Sequence, residues 1–206
     1  MASLWIKICG LRTPGAIETA AAAGADALGF VFHEASPRNL SLAAARELQR
    51  AVPSSVVRVA VFRHPSQSLV DAVLDAIAPD WLQTDAADLV RLRVPASLQV
   101  LPVLRDGAVD RAALPDRCLF ESAHSGVGER ADWTAAAGLA RHTQLVLAGG
   151  LHPANVAEAV RAVRPFGVDV SSGVERERGV KDATLIRGFI RAARAAERAL
   201  SDEENR

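Results

Sequence analysis

Lys7 and Cys9 stand two residues apart at the end of the apolar run LWIKIC, and a second run, RCLFE, ends on Glu121 before the glycine-containing loop SAHSGVGERADW. An extended strand puts residues 7 and 9 on one face. A lysine charge there favours the thiolate, which makes Cys9 a candidate base with a pKa near the working pH. The plainer reading is a buried, inert thiol, the commonest fate of the residue type. Glu121 is either a catalytic acid or a solvated carboxylate closing a strand.

Anion recognition is the second chemistry the sequence suggests. The stretches LAGGL at 147–151 and VSSGVE at 170–175 each follow an apolar run. Small residues in such places let backbone N–H groups and a helix N-terminus face an anion. Gly149, Gly150, Ser171, Ser172 and Gly173 are therefore candidate phosphate ligands, with tight turns as the alternative. No GxxxxGK[ST] stretch occurs, which disfavours a nucleoside triphosphate. Arg38, after Pro37 in SPR, is either a solvated charge or a planar clamp for carboxylate or phosphate. Gln83, Asp85 and Asp169 also lie at the ends of apolar runs. His33, His64, His124, His142 and His152 have no metal-ligand spacing, so no metal is expected.

These residues need elements to bring them together. Eight apolar runs read as strands, at 4–9, 27–32, 56–62, 80–83, 98–104, 117–121, 144–150 and 166–171. Helical segments follow them at 13–23, 41–51, 66–78, 86–92, 107–113, 132–141, 153–163 and 182–198. Strand and helix in alternation imply parallel pairing through right-handed crossovers. Eight such units close into a (β/α)8 TIM barrel, an α/β fold of eight parallel strands that leaves no sheet edge exposed; an open doubly wound sheet is the alternative. In a barrel the strand C-terminal ends form the active face, where all the residues above are found.

At 206 residues the chain is expected to be one domain, 1–206, with a frayed polar tail at about 199–206. Its 24 basic and 24 acidic residues cancel, which removes the electrostatic argument for nucleic acid and leaves a small phosphorylated molecule as the expected partner. Hydrophobic residues make up 50% and aromatic residues only 4%, so packing depends on close approach of helices and strands. Cys9 and Cys118 have no metal-ligand spacing and fit a reducing compartment. No uncharged span approaches membrane length and the N-terminus has no signal pattern, so a cytoplasmic protein, monomer or homodimer, with no membrane contact is expected.

KICGL at 7–11, GFVF followed by SPR, LAGGLHPANV at 147–156, and GVDVSSGVE followed by GVKDATLIRGFI together resemble the phosphoribosylanthranilate isomerase family of tryptophan biosynthesis. The resemblance implies a (β/α)8 barrel that converts N-(5′-phosphoribosyl)anthranilate into 1-(2-carboxyphenylamino)-1-deoxyribulose 5-phosphate by an Amadori rearrangement without cofactor. It implies Cys9 as base, Glu121 where the family has its acidic aspartate, and Arg38 near the anthranilate carboxylate. It implies phosphate on the AGG and SSG loops and Asp169 in support, while Lys7, Gln83 and Asp85 are the further expected substrate contacts. Two departures stand out: LQTDAAD where the family commonly has QLHG, giving Thr84 and Asp85 for a His–Gly pair, and VFRHP, which puts Arg63 and His64 at the rim. Asp85 and His124 compete with Glu121 for the acid role. Another isomerase of aminoaldose phosphates, or an inactive barrel that binds a phosphorylated ligand, are the competing functions.

Overall fold

The computed structural model describes residues 3–107, 109, 114–122, 129–204 and 206. Its strands are β1 (Trp5–Cys9), β2 (Ala27–Phe32), β3 (Val57–Phe62), β4 (Trp81–Asp85), β5 (Gln99–Arg105), β6 (Arg117–Glu121), β7 (Gln144–Leu147) and β8 (Gly167–Val170). They pair in sequence order, all parallel, and β1 closes on β8. The helices are α1 (Pro14–Ala22), α2 (Leu42–Leu48), α3 (Gln67–Ile77), α4 (Ala86–Leu89), α5 (Trp133–Ala140), α6 (Val156–Val163) and α7 (Ala183–Glu204). The barrel and its eight parallel strands are as the alternation implied.

Period-two alternation sorts every strand into two faces. Ile6, Ile8, Leu82, Cys118 and Phe120 point outward into the layer between sheet and helices. Leu101, Val103, Leu119, Val146 and Ala148 point inward and fill the barrel over Trp5, Trp81 and Phe166. The Trp5 and Trp81 rings stack with centroids 5.1 Å apart. Both begin their strands, so the aromatic layer plugs the N-terminal end. The inward positions two and four residues further on are Lys7 and Cys9, Gln83 and Asp85. The apolar floor thus gives way to polar groups towards the strand C-termini.

Local signals explain most helix boundaries. Thr13 caps α1 by accepting from Ala16 N at 3.3 Å, with Pro14 next. The expected helix at 41–51 divides into α2 and one 3-10 turn at Gln49–Ala51. The segment expected at 86–92 is helical only over Ala86–Leu89. α6 starts at Val156 rather than at Pro153, because Asn155 Oδ1 accepts from His152 N at 2.8 Å and folds 152–155 as a turn. The helix expected at 107–113 falls largely outside the described residues, as does His124.

Two expectations are corrected. The tail expected to fray from 199 continues α7 to Glu204, because Leu200 is buried in the core and Arg164 Nη1 donates to Glu204 Oε1 at 2.7 Å. β7 stops at Leu147 rather than 150, since the chain turns out of the sheet through Ala148–Gly150. A hairpin of β9 (Glu175–Glu177) and β10 (Val180–Lys181), unforeseen, follows β8 over the barrel mouth.

Candidate active site

A cavity of about 310 Å³ opens at the strand C-termini, and its wall includes Cys9, Arg38, Gln83, Asp85, Arg105, Glu121 and Asp169. Beside it a recess of about 50 Å³ is lined by Gly149, Gly150, Ser171 and Ser172, with Asp169 and Glu121 shared between the two. Every strand except β7 therefore contributes a residue to the cavity wall. A larger groove of about 760 Å³ lies outside the barrel between α1 and α7, remote from these groups.

Cys9 sits where Gly29 of β2 leaves room: a Cβ there would lie 2.8 Å from its sulfur and 3.2 Å from Lys7 Cε. Any side chain at 29 would displace both. Lys7 is fully buried, and its Nζ donates to Asp169 Oδ1 at 2.8 Å. That pair follows from register, because Lys7 and Asp169 are partners on β1 and β8. Burial alone would lower the Lys7 pKa; the carboxylate more than offsets this, and it lies above the ordinary lysine value. Two expectations change. Lys7 lies beneath the cavity wall and reaches the site through Asp169 and Cys9. The expected fall of the Cys9 pKa is reversed: burial pushes the thiol up, and the opposing Lys7 charge does not cancel it. Cys118, also free, lies outside the barrel interior on β6.

Arg38 is buried, and its fork closes on a carboxylate of the same chain: Nε donates to Glu175 Oε1 at 2.7 Å and Nη2 to Oε2 at 2.8 Å. Lys181 Nζ donates to the same Glu175 at 2.7 Å and to Ser171 O at 2.8 Å. Two buried cations thus share one carboxylate, a local excess of positive charge at the mouth. Burial alone would raise the Glu175 pKa, but Arg38 and Lys181 hold it down at about 2. Lys181 itself is lowered by burial in spite of Glu175.

The depressed Glu175 carboxyl sets a direction for acid stability. Its folded pKa of about 2 lies below the ordinary 4.5, so its contribution is complete above pH 4.5 and is lost as pH falls towards 2. The linked contribution is on the order of 3 kcal/mol. Glu175→Gln removes the carboxylate that both buried cations share and is expected to cost about 3–5 kcal/mol at pH 7. Urea unfolding at pH 7 and pH 3 checks this: the gap between wild type and variant narrows at pH 3, and an equal gap at both values contradicts it.

The anion loops divide the expected residues. Gly149, Gly150, Ser171 and Ser172 line the recess. Gly173 is not among the residues that line the recess, and a Cβ there would come within 1.9 Å of Leu151 O, so only glycine allows that close approach. Ser171 Oγ donates to Cys9 O at 3.2 Å. Gln83 is 6% exposed, and its Oε1 has no hydrogen-bond partner among the described residues. A buried acceptor on a cavity wall is placed to accept a hydrogen bond from a ligand's O–H or N–H.

Glu121 and Asp85 meet on Arg105, which the sequence reading missed. Arg105 Nη1 donates to Glu121 Oε1 at 2.8 Å and Nη2 to Asp85 Oδ1 at 2.5 Å. The signal was present: Leu101 and Val103 point inward, so alternation carries Arg105 inward too, but the strand was ended at 104. Glu175 and Lys181 were also missed, lying in what read as loop. His64, Asp85 and Asp88 have donor atoms within 4.8 Å of one another, a grouping their spacing did not suggest. Its carboxylates already bond Arg105 and Arg91, the latter to Asp88 Oδ1 at 3.0 Å, so the cluster is knitted by cations of the chain itself. Among the described residues no helix is long and apolar enough to cross a membrane.

The mouth, with a thiol, a carboxylate and a glycine-serine recess, can be set against known proteins. The family model of N-(5'-phosphoribosyl)anthranilate (PRA) isomerase matches residues 6–192. An N-(5'-phosphoribosyl)anthranilate isomerase of Rhodopseudomonas palustris is 43% identical, the match covering 97% of this chain and 100% of that one. The crystal structure of phosphoribosyl anthranilate isomerase from Thermotoga maritima matches with a TM-score of 0.84 at 31% identity, over 94% of this chain and 100% of that one. A phosphoribosyl anthranilate isomerase in complex with reduced 1-(o-carboxyphenylamino)-1-deoxyribulose 5-phosphate matches with a TM-score of 0.79 at 30% identity, again over 94% and 100%. With the barrel, the motif order and the match running through almost the whole chain, the protein belongs to the phosphoribosylanthranilate isomerase family.

Proposed function

We infer that this chain isomerises N-(5′-phosphoribosyl)anthranilate to 1-(2-carboxyphenylamino)-1-deoxyribulose 5-phosphate, with Glu121 as acid and Cys9 as base. The observation that carries this reading is the common wall: a thiol on β1 and a carboxylate on β6 border one cavity, next to a recess of glycines and serines. Glu121 protonates the ribose ring oxygen while the bond from that oxygen to C1′ breaks. The anilino nitrogen lone pair closes a C1′=N bond, giving a Schiff base. The Cys9 thiolate takes the C2′ proton, the freed pair forms C1′=C2′, and the C=N electrons return to nitrogen. Ketonisation removes the C2′ hydroxyl proton and delivers one to C1′. C1′ becomes a methylene and C2′ a carbonyl, so atoms and electrons balance without oxidant or reductant, and the account needs no cofactor.

Binding follows the charges. The phosphate sits in the recess formed by Gly149, Gly150, Ser171 and Ser172. The anthranilate carboxylate faces the positive excess of Arg38 and Lys181 over Glu175. Gln83 Oε1 accepts from the sugar or the anilino N–H, and Asp169, tied to Lys7, supports the sugar side. The partner is a small phosphorylated molecule, not nucleic acid, and the site of action is the cytoplasm. All these residues come from one chain, so a monomer and a homodimer carry the same site.

Expression in a tryptophan auxotroph lacking this isomerase tests the function. Growth without tryptophan is expected. Absence of growth with soluble protein present would contradict it.

A further inference from the structure

A chain of polar side chains runs from the surface of the mouth to Glu121. Asp88, buried at 1% exposure, accepts from Thr84 Oγ1 at 2.8 Å and from His64 N at 3.0 Å, and its other oxygen lies 3.0 Å from His64 Nδ1. His64 Nε2 faces Asp85 Oδ2 at 3.6 Å. Asp85 holds one prong of Arg105, and Glu121 holds the other. The Arg105 and Asp85 side chains are 22% and 13% exposed and that of Glu121 14%, so the junction is largely withdrawn from water.

We propose that Arg105 is the positioning residue of the acid: anchored by Asp85, its guanidinium draws the Glu121 carboxyl to one place at the barrel mouth. This rests on the acid role of Glu121. A glutamate at a strand end has three side-chain torsions and spreads its carboxyl over several rotamers unless a partner selects one. Arg105 and Glu121 are direct partners in the β5–β6 register, so the two side chains leave the sheet side by side. The planar fork then fixes direction as well as distance, which a lysine ammonium does not. Asp85, one strand further round on β4, occupies the opposite prong and keeps the guanidinium from swinging out over the cavity. Arg105 thus spans three strands and separates two carboxylates that would otherwise repel.

The charges around Glu121 give this role a signature that simple packing lacks. Arg105 donates to it, Asp85 of β4, Asp169 of β8 and Glu129 before α5 are carboxylates that share its cavity or its recess, and Arg38, Arg63, Arg178 and His33 line the same cavity. Without Arg105 the surroundings become more negative, the protonated acid is favoured, and the break in kcat/KM that reports the Glu121 ionisation moves to higher pH.

The test is steady-state kinetics on Arg105→Ala and Arg105→Lys, each also combined with Glu121→Gln, with melting temperatures as the check on folding. Arg105→Ala is expected to lower kcat about 100-fold, the scale of a misplacement near 1 Å, with little change in KM. Arg105→Lys, which keeps the charge, recovers part of that loss. In the Glu121→Gln background the alanine change adds almost nothing, because the group it positions no longer carries a proton. A kcat near wild type in Arg105→Ala, an unmoved Glu121 break, or an undiminished loss in the Glu121→Gln background overturns the positioning role while leaving the acid standing. Wild-type turnover in Glu121→Gln alone overturns the acid assignment and the positioning role with it.

Discussion

Glu121→Gln is expected to lower kcat on the order of 10²–10⁴-fold, the usual contribution of a positioned general acid. Gln keeps the size of the side chain and an oxygen that accepts from Arg105, so the packing of the mouth is preserved while the proton is lost. KM should change little, since binding is carried by the recess, by Gln83 and by the cations near Arg38. Asp85→Asn is the control that separates the two carboxylates on Arg105. It weakens one anchor of the guanidinium and should reduce kcat far less than Glu121→Gln. If Asp85→Asn abolished turnover and Glu121→Gln spared it, the acid would be Asp85.

Cys9→Ala is the second large effect. Loss of the base leaves the ring free to open but gives the C2′ proton no acceptor, so rearrangement stops while a reduced product analogue still binds. The variant is expected to fold, because Cys9 borders the cavity and the change removes a single sulfur atom. The raised Cys9 pKa adds a pH dependence whose sign is fixed. A base works deprotonated, and burial places this thiol above the ordinary 9.0, so the break in kcat/KM that reports the Cys9 ionisation should lie above pH 8. A Cys9 break below pH 7, or turnover unchanged in Cys9→Ala, would reject the thiol as base.

The barrel was legible because each inner strand carries its apolar pattern locally, and eight such patterns separated by capped helices leave few ways to fold. Strand ends were less legible, and one residue mattered. Ending the fifth strand at 104 rather than at Arg105 hid the residue that joins Asp85 to Glu121. The hairpin at 175–181 escaped because strands of three and two residues show no periodicity. Partners far apart in the chain escaped for a different reason. Arg38 and Glu175 are 137 residues apart, and only closure of β1 on β8 brings the loop after β2 to the loop after β8.

Desolvation was the property the residues themselves did not reveal. Spacing showed that Lys7 and Cys9 share a face, and from that a lowered thiol pKa follows. The alternation that pairs them also drives Lys7 fully into the barrel, where it is spent on Asp169 and where lack of water penalises the thiolate more than the ammonium favours it. The glycine loops border a recess at the mouth, but which of their residues line it was not legible. Gly173 faces the backbone of Leu151, a distinction set by how tightly two loops approach.

The most direct measurement is carbon NMR of N-(5′-phosphoribosyl)anthranilate incubated with the purified chain and no added cofactor. The account predicts that the anomeric C1′ signal is replaced by a methylene and the C2′ carbinol by a ketone, with the anthranilate still attached. Release of free anthranilate and ribose 5-phosphate at the uncatalysed rate, with no ketone formed, would contradict it.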